Sequence, residues 1–481
     1  MKLPAALERI DAGVGSSLER AMCKHHQRRL QKRGWAHALE ATEADWADGA
    51  PPRPGCAVEV LIDGEEALPR IADAIRGARS HVHLAGWCVS PEFVLVKGER
   101  GATLKDLLAE ASGRVPVRVL LWAGAPLPFY PVARSDVRRI RDELCRGTAI
   151  RCALDTHERP MHCHHEKIVI VDDELAFVGG IDLTDFAGDR LDRPGHPPRG
   201  ALGWHDVATR LRGPVVADVG RHFTMRWREV TTEILPPTVE PPPAGEQELQ
   251  VVRTIPEHIY RAVPKGDFSI LQSYTGALRS AQHLIYIENQ FLWSPEIVAI
   301  LSEKLRNPPN DDFRLLVVLP AKPNSGKDDT AGQLAVLANA DADATRFLAC
   351  TLYAVADGVV ERVYVHAKVC IVDDRWLTVG SANLNDHSLF NDSEMNVVSH
   401  DPALARETRL RLWSEHLDRP LEELGRDPAT LIDELWGPLA REQLERRLAG
   451  APLTHRLVRL AHISRRSKRL LGPLQDLLVD G

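Results

Sequence analysis

The chain has 481 residues, 44% hydrophobic and 26% charged, which supplies large buried cores and excludes a disordered or collagen-like protein. Sixty Lys and Arg against 67 Asp and Glu leave a net charge of −7, not the basic balance that a phosphate backbone selects in nucleic-acid binders. Charges interrupt the first segment and no uncharged apolar run of about 18 residues follows, so the sequence predicts neither a signal peptide nor a membrane span, and a cytoplasmic protein.

In chain order, residues 1–56 read as a helical segment. Its basic stretch CKHHQRRLQKR (23–33) is better explained by a solvated helix face than by a nucleic-acid arm. A first unit follows over 57–235, in which AIRGARSHVHL (74–84) is the end of an amphipathic helix running into an apolar strand and VRVLLW (117–122) is a second strand. The run HCHH (162–165) invites a zinc reading, but strand alternation splits it between two faces, so that reading is set aside. The segment PPTVEPPPAGEQ (236–247) resists helix and central strand and suits an exposed connector.

A second unit, 248–425, repeats the first. ALRSAQHLIYI (277–287) aligns with 74–84, FRLLVVL (313–319) supplies the second strand, and HAKVCIVDDRWLTVGSAN, from His366, aligns without a gap with HEKIVIVDDELAFVGGID, from His165. NSGK (324–327) resembles a phosphate loop, but the glycine required at 321 is alanine, and the polar stretch 321–344 reads either as a cover for the site or as a surface loop. Residues 426–481 form a helical, basic tail in which HRLVRLAHISRRSKR (455–469) either lies on anionic lipid or docks on the domain with a solvated face. The eight cysteines form no CxxC pair, which predicts reduced thiols and neither a zinc ribbon nor a disulfide framework. Helix–strand alternation with continuous apolar strands predicts an α/β fold, its two copies related by a pseudo-twofold axis with the site at their junction.

Each copy carries H-x-K-x-x-x-x-D: His165, Lys167 and Asp172, then His366, Lys368 and Asp373. Three fixed residues arise by chance at roughly one start position in several thousand, so two aligned copies are a strong signal. Residues two apart in a strand share a face, which presents each His with its Lys; the Asp, at odd parity, points away and suits a structural role at the strand end. Such a set supports displacement at phosphorus: one imidazole attacks, the other protonates the leaving oxygen, and two ammonium groups hold the non-bridging oxygens. The lysines supply the positive charge, so no metal or other cofactor is expected. Asp206 in GWHD and Glu394 in NDSE are the expected histidine-orienting carboxylates, each opening a strand of its own half. The turns Gly179-Gly180-Ile181-Asp182 and Gly380-Ser381-Ala382-Asn383 have small side chains that admit a ligand, making Gly180, Asp182, Ser381 and Asn383 candidate substrate contacts, with Asp182, Ser381 and Asn383 as braces for the lysines, or an ordinary polar turn, as the alternatives. Trp204 either lines the pocket or packs in the core.

At these residues the sequence resembles the phospholipase D superfamily, which is defined by two such motifs. IYIENQ (285–290), AFVGGIDL (176–183), WHD (204–206), GSANLN (380–385), DSE (392–394) and LWSEHL (412–417) are similar to segments of its phosphatidyl-transferring branch, and the resemblance covers roughly residues 57–420. It implies two α/β domains sharing one active site, a covalent phosphohistidine, and catalytic roles for all six motif residues, with His165 as nucleophile and His366 as acid. The activity it implies is that of a phospholipase D, releasing phosphatidic acid and head group, with a cardiolipin synthase as the alternative. A nuclease and a non-catalytic lipid-binding scaffold are more distant readings. The substrate partner is phospholipid at a membrane surface, with no obligatory nucleic acid, and the protein is expected to be a monomer, peripheral on the inner face of the membrane. No counterpart is expected of the amino-terminal lipid- and calcium-binding modules or membrane spans of some relatives.

Overall fold

The computed structural model describes residues 5–98, 102–126, 132–159, 162–184, 203–322, 327–356 and 359–460. The first half supplies β1 (Arg53–Ile62), β2 (Val82–Gly86), β3 (Val117–Trp122), β4 (Arg151–Asp155), β5 (Ile168–Val171), β6 (Leu175–Gly179), β7 (Gly203–His205) and β8 (Val207–Arg212). The second supplies β9 (Gln247–Ile255), β10 (Asp267–Phe268), β11 (Leu284–Glu288), β12 (Arg314–Val318), β13 (Phe347–Ala356), β14 (Val359–Val365), β15 (Val369–Val372), β16 (Trp376–Gly380), β17 (Glu394–Ser399) and β18 (Leu457–Arg459).

Pairing arranges these strands into two mixed sheets of identical order. One runs β1-β8-β6-β5-β2-β3-β4. The other runs β9-β17-β16-β15-β11-β12-β13. In each, the three strands at one end are parallel and the motif-bearing strand, β5 or β15, lies antiparallel between its neighbours. Antiparallel pairing of β1 with β9, through a register shift, joins the sheets edge to edge. The chain is therefore two tandem α/β domains of one architecture, related by duplication.

Both faces of each sheet are covered, which is why IVIV and VCIV carry no polar alternation. On β12, Leu315 and Val317 join the core that packs under helices Ser269–Ser280 and Pro295–Arg306, whereas Leu316 and Val318 join the core under helix Pro402–Leu417. In the first half, Val117, Val119 and Leu121 face helix Asp63–Gly77, and Leu120 faces helix Val216–Thr231 on the other side. Each fully buried aliphatic side chain contributes about 1.5–3 kcal/mol relative to exposure. Local signals set the helix starts: Thr103 accepts from the Asp106 N–H ahead of Leu104–Ser112, and Asp401 accepts from Ala403 and Leu404 ahead of Pro402–Leu417.

Three boundaries differ from the sequence reading. β1 begins at Arg53, inside the segment 1–56, because Ala57–Ile62 pair with β8 and pull the preceding residues into the sheet. β9 begins at Gln247, the last residue of the proline-rich connector. The tail from residue 426 is helical over Pro428–Leu431 and Gly437–Leu448, but its basic stretch from His455 opens as β18, which pairs with β13, so Leu457 and Val458 are core residues of the second domain. The remainder of that tail, 461–481, lies outside the described residues, as do 185–202 and residues 324–326 of the NSGK stretch, whereas Lys327–Ala340, within the stretch read as a loop, is a helix.

Candidate active site

The segments entering β5 and β15 make contacts that cross between the halves. Ahead of His165, His164 bridges in parallel with Ser393, and the His165 and Glu166 N–H groups both donate to the Ser393 carbonyl at 2.9 and 3.1 Å. Ahead of His366, β14 pairs in parallel with β7, and the His366 and Ala367 N–H groups both donate to the His205 carbonyl at 2.8 and 3.1 Å. Each histidine is thus placed one residue from the carboxylate of the opposite half.

The side chains follow that backbone. His165 Nδ1 lies 3.0 Å from Glu394 Oε1 and 3.2 Å from the Ser381 carbonyl. His366 Nδ1 lies 2.7 Å from Asp206 Oδ2, and the Gly180 carbonyl is a further acceptor. The Ser381 and Gly180 carbonyls, like an ionised carboxylate, only accept, so Nδ1 carries the proton in each ring and the neutral imidazole presents a lone pair at Nε2. The rings stand edge-to-face with centroids 6.5 Å apart. Asp206 and Glu394 orient histidines as expected, but the histidine of the other half.

The lysines anchor on their own motifs. Lys167 Nζ donates to the His165 carbonyl at 2.7 Å and lies 3.3 Å from Asp182 Oδ2; Lys368 Nζ donates to the His366 carbonyl at 2.5 Å and to Gln290 Oε1 at 3.4 Å. Asn383 donates to the same Gln290 oxygen. Asp182 and Asn383 thereby brace the ammonium groups. Burial pushes Lys368 down to about 7, with Asp206 opposing. Burial pushes the Asp206 carboxyl up to about 7 against the pull of Lys368, and the Glu394 carboxyl up to about 8 against Lys167 and the hydroxyls of Ser381 and Ser388. Burial and then the two lysines hold His366 well below the usual imidazole value.

Four candidates sit differently from the sequence reading. Asp172 accepts from the N–H groups of Arg79, Ser80 and His81, and Asp373 from those of Gln282, His283 and Leu284, each tying the strand end to the loop before β2 or β11. Their grouping with the catalytic residues is corrected: they hold the motif strand, as parity implies. Gly180 does not make room for a ligand; a Cβ there would lie 2.1 Å from Asp206 Oδ1, so the missing side chain is the space that the carboxylate occupies. Ser381 donates its hydroxyl to Glu394 Oε2 and is a support of that carboxylate rather than a substrate contact. Trp204 packs on His366 and on Tyr364, with ring centroids 4.9 and 4.8 Å apart.

Sequence reasoning missed Ser388, which donates to Glu394 at 2.5 Å, and Gln290 and Tyr364, which hydrogen-bond each other beside Lys368. Gln290 was visible in IYIENQ; Ser388 and Tyr364 carry no spacing signal. The buried scaffold below the site was also hidden: His205 donates to Asp63 at 2.9 Å and to Glu288 at 2.7 Å, and His416 lies 2.8 Å from Glu288. Burial alone would lower His205, but the carboxylates on both nitrogens hold it well above the usual value, as a fixed imidazolium.

Residues 74–202 match the family model described as phospholipase D, and residues 274–414 that described as cardiolipin synthase, PLD-like domain. Together they span more than half of the chain. Phospholipase D A of Dictyostelium discoideum is 27% identical over 76% of this chain and 36% of that protein. Phospholipase D alpha 1 of Nicotiana tabacum is 26% identical over 79% of this chain and 68% of its own length, and phospholipase D1 of Schizosaccharomyces pombe 24% over 81% and 38%. The chain thus spans little more than a third of the amoebal and yeast proteins and about two thirds of the tobacco one. The fold is shared with phosphatidylserine synthase of Haemophilus influenzae Rd KW20, at a TM-score of 0.54 and 12% identity over 76% of this chain and 88% of that one. With two matched domains, two H-x-K-x-x-x-x-D motifs meeting across one junction and relatives of that name over most of its length, the chain belongs to the phospholipase D superfamily.

Proposed function

We propose that the protein is a phospholipase D-type phosphodiesterase that cleaves glycerophospholipids through a phosphohistidine, releasing phosphatidic acid and head group. The observation that supports it most directly is the pair of crossed dyads: two imidazoles, each on a carboxylate of the opposite half, standing edge-to-face, with a motif lysine anchored on the backbone of each. His165 Nε2 attacks phosphorus and the bond to the head-group oxygen breaks as His366 delivers a proton to it. Burial and then the charges of Lys368 and Lys167 oppose a proton on His366; a phosphodiester anion between the lysines reverses their field and lets His366 act as the acid. Water deprotonated by His366 then attacks the phosphohistidine, and His165 leaves.

Among the described residues no helix is long and apolar enough to cross a membrane, and the proposed mode of action is that of a monomer working peripherally, at the cytoplasmic face of a bilayer. Transfer to a lipid alcohol in place of water would give a cardiolipin synthase, the second reading, which the match of residues 274–414 favours. Mass spectrometry of products from phosphatidylcholine and from phosphatidylglycerol vesicles, with and without a primary alcohol, separates the two. Phosphatidic acid diverted to a phosphatidyl-alcohol is the expected result; cardiolipin plus glycerol would make the protein a synthase, and no lipid product with either substrate would overturn the proposal.

A further inference from the structure

The histidine run before the first motif is distributed over three environments. His165 belongs to the catalytic pair. His164 lies against Ser393, Tyr260 and Asp155, in a buried network around Arg226. His162 has a third destination: its Nδ1 is 3.0 Å from His387 Nδ1 and 3.3 Å from Asp392 Oδ1, with all three ligand atoms within 4.8 Å of one another. His387 and Asp392 are 2% and 1% exposed, whereas the His162 side chain keeps 15% and leaves a way in from solvent.

This trio is poorly served by hydrogen bonding alone. A proton on His162 Nδ1 satisfies either His387 or Asp392, and Asp392 Oδ2 has no hydrogen-bond partner among the described residues. A cation about 2.0–2.2 Å from each atom would satisfy all three lone pairs at once, and tetrahedral geometry at those lengths sets ligand atoms about 3.3 Å apart. Two imidazole nitrogens and one carboxylate are the borderline donors that suit zinc and its neighbours, with water in the fourth position. Two other buried clusters differ. In the set His205, Glu288, His416 and Asp63, short hydrogen bonds already link each imidazole to a carboxylate. His26 is held by Glu296 and stacks on Phe390.

We propose that His162, His387 and Asp392 form a binding site for a divalent ion of the zinc class that clips the two halves together beside the His165–Glu394 pair. His162 comes from the first half and the other two ligands from the second. The Asp392 carboxylate also accepts from the Cys163 N–H at 2.9 Å, and Ser388, next to His387, donates to Glu394. The ion is structural: it stands outside the phosphoryl chemistry, which the lysines serve, and the inference does not depend on the lipid activity. The zinc reading of the histidine run failed on ligands sought within the run; the partners lie some 225 residues away.

The test uses the full chain freed of metal by chelator and dialysis, titrated with zinc against a chromophoric competitor, and with cobalt followed by its visible absorption. One tight equivalent per chain, a cobalt spectrum of tetrahedral intensity and a raised unfolding temperature are expected. His162→Gln, at the partly exposed position, and Asp392→Asn, whose amide oxygen still accepts from Cys163, should each lose that equivalent and the cobalt band while keeping the native near-UV circular dichroism. Folded variants that bind zinc and cobalt as the parent does, or a parent with only the weak binding of surface histidines, would overturn the proposal.

Discussion

The two halves have the same strands in the same order, and at the active site they differ in charge. In the pair His165–Glu394, the longer carboxylate receives hydroxyl protons from Ser381 and Ser388. In the pair His366–Asp206, the shorter one fills the gap at Gly180, and the Val207 N–H donates to it at 2.8 Å. Lys167 faces a carboxylate, Asp182; Lys368 faces the neutral amides of Gln290 and, through it, Asn383. Duplication supplies two equivalent imidazoles, and substitution around them makes one side more anionic than the other. In the proposed mechanism, that asymmetry would let one histidine attack while the other manages protons.

The comparison breaks most sharply if the crossing is wrong. Glu394→Gln and Asp206→Asn each remove the acceptor that fixes a tautomer, and each is expected to lower kcat on phosphatidylcholine vesicles by about 10²–10⁴-fold. In nitrogen-labelled protein, Glu394→Gln should shift the Nδ1–H resonance of His165 and Asp206→Asn that of His366. The opposite assignment, with each carboxylate serving the histidine of its own half, would refute the cross-paired site.

That crossing also marks where the sequence stopped being legible. The repeat, the α/β class, the motif strands and the identity of both carboxylates were readable, because they rest on local periodicity and fixed spacing. The partner of each carboxylate was not, because the parallel contacts of 162–165 with Ser393 and of β14 with β7 join segments 160 to 229 residues apart. The glycines misled for a related reason. A missing side chain signals a close neighbour without saying whether that neighbour is ligand or protein, and at Gly180 it is Asp206. For Asp172 and Asp373 the strand parity was the better guide, since three backbone N–H groups converge on each.

A smaller effect separates the supports of the two carboxylates. Gly180→Ala pushes a methyl group into Asp206 and should lower kcat by about 10–10²-fold, with the loss confined to the His366 side. At the equivalent position, Ser381→Ala removes one hydroxyl from Glu394 and leaves Ser388 in place, which corresponds to about tenfold or less. Equal losses in the two variants, measured as kcat per folded protein, would mean that the halves are supported alike.

The mildest expectation concerns Lys368, and its sign follows from the direction of the shift. Burial lowers its ammonium to about 7, so the group loses its proton as pH rises through neutrality in the unliganded enzyme. An anion between the lysines binds the protonated form better, so affinity for a non-titrating probe such as tungstate should fall as pH climbs from about 6 to about 9. Asp206 and Glu394, pushed up to about 7 and about 8, lose protons over the same range and add repulsion in the same direction. Lys368→Arg keeps its charge throughout and should reduce the pH slope of tungstate affinity by about one proton, leaving the carboxylate contribution. A parent enzyme with pH-independent tungstate affinity, or a Lys368→Arg slope equal to that of the parent, would show that Lys368 does not lose its proton over this range.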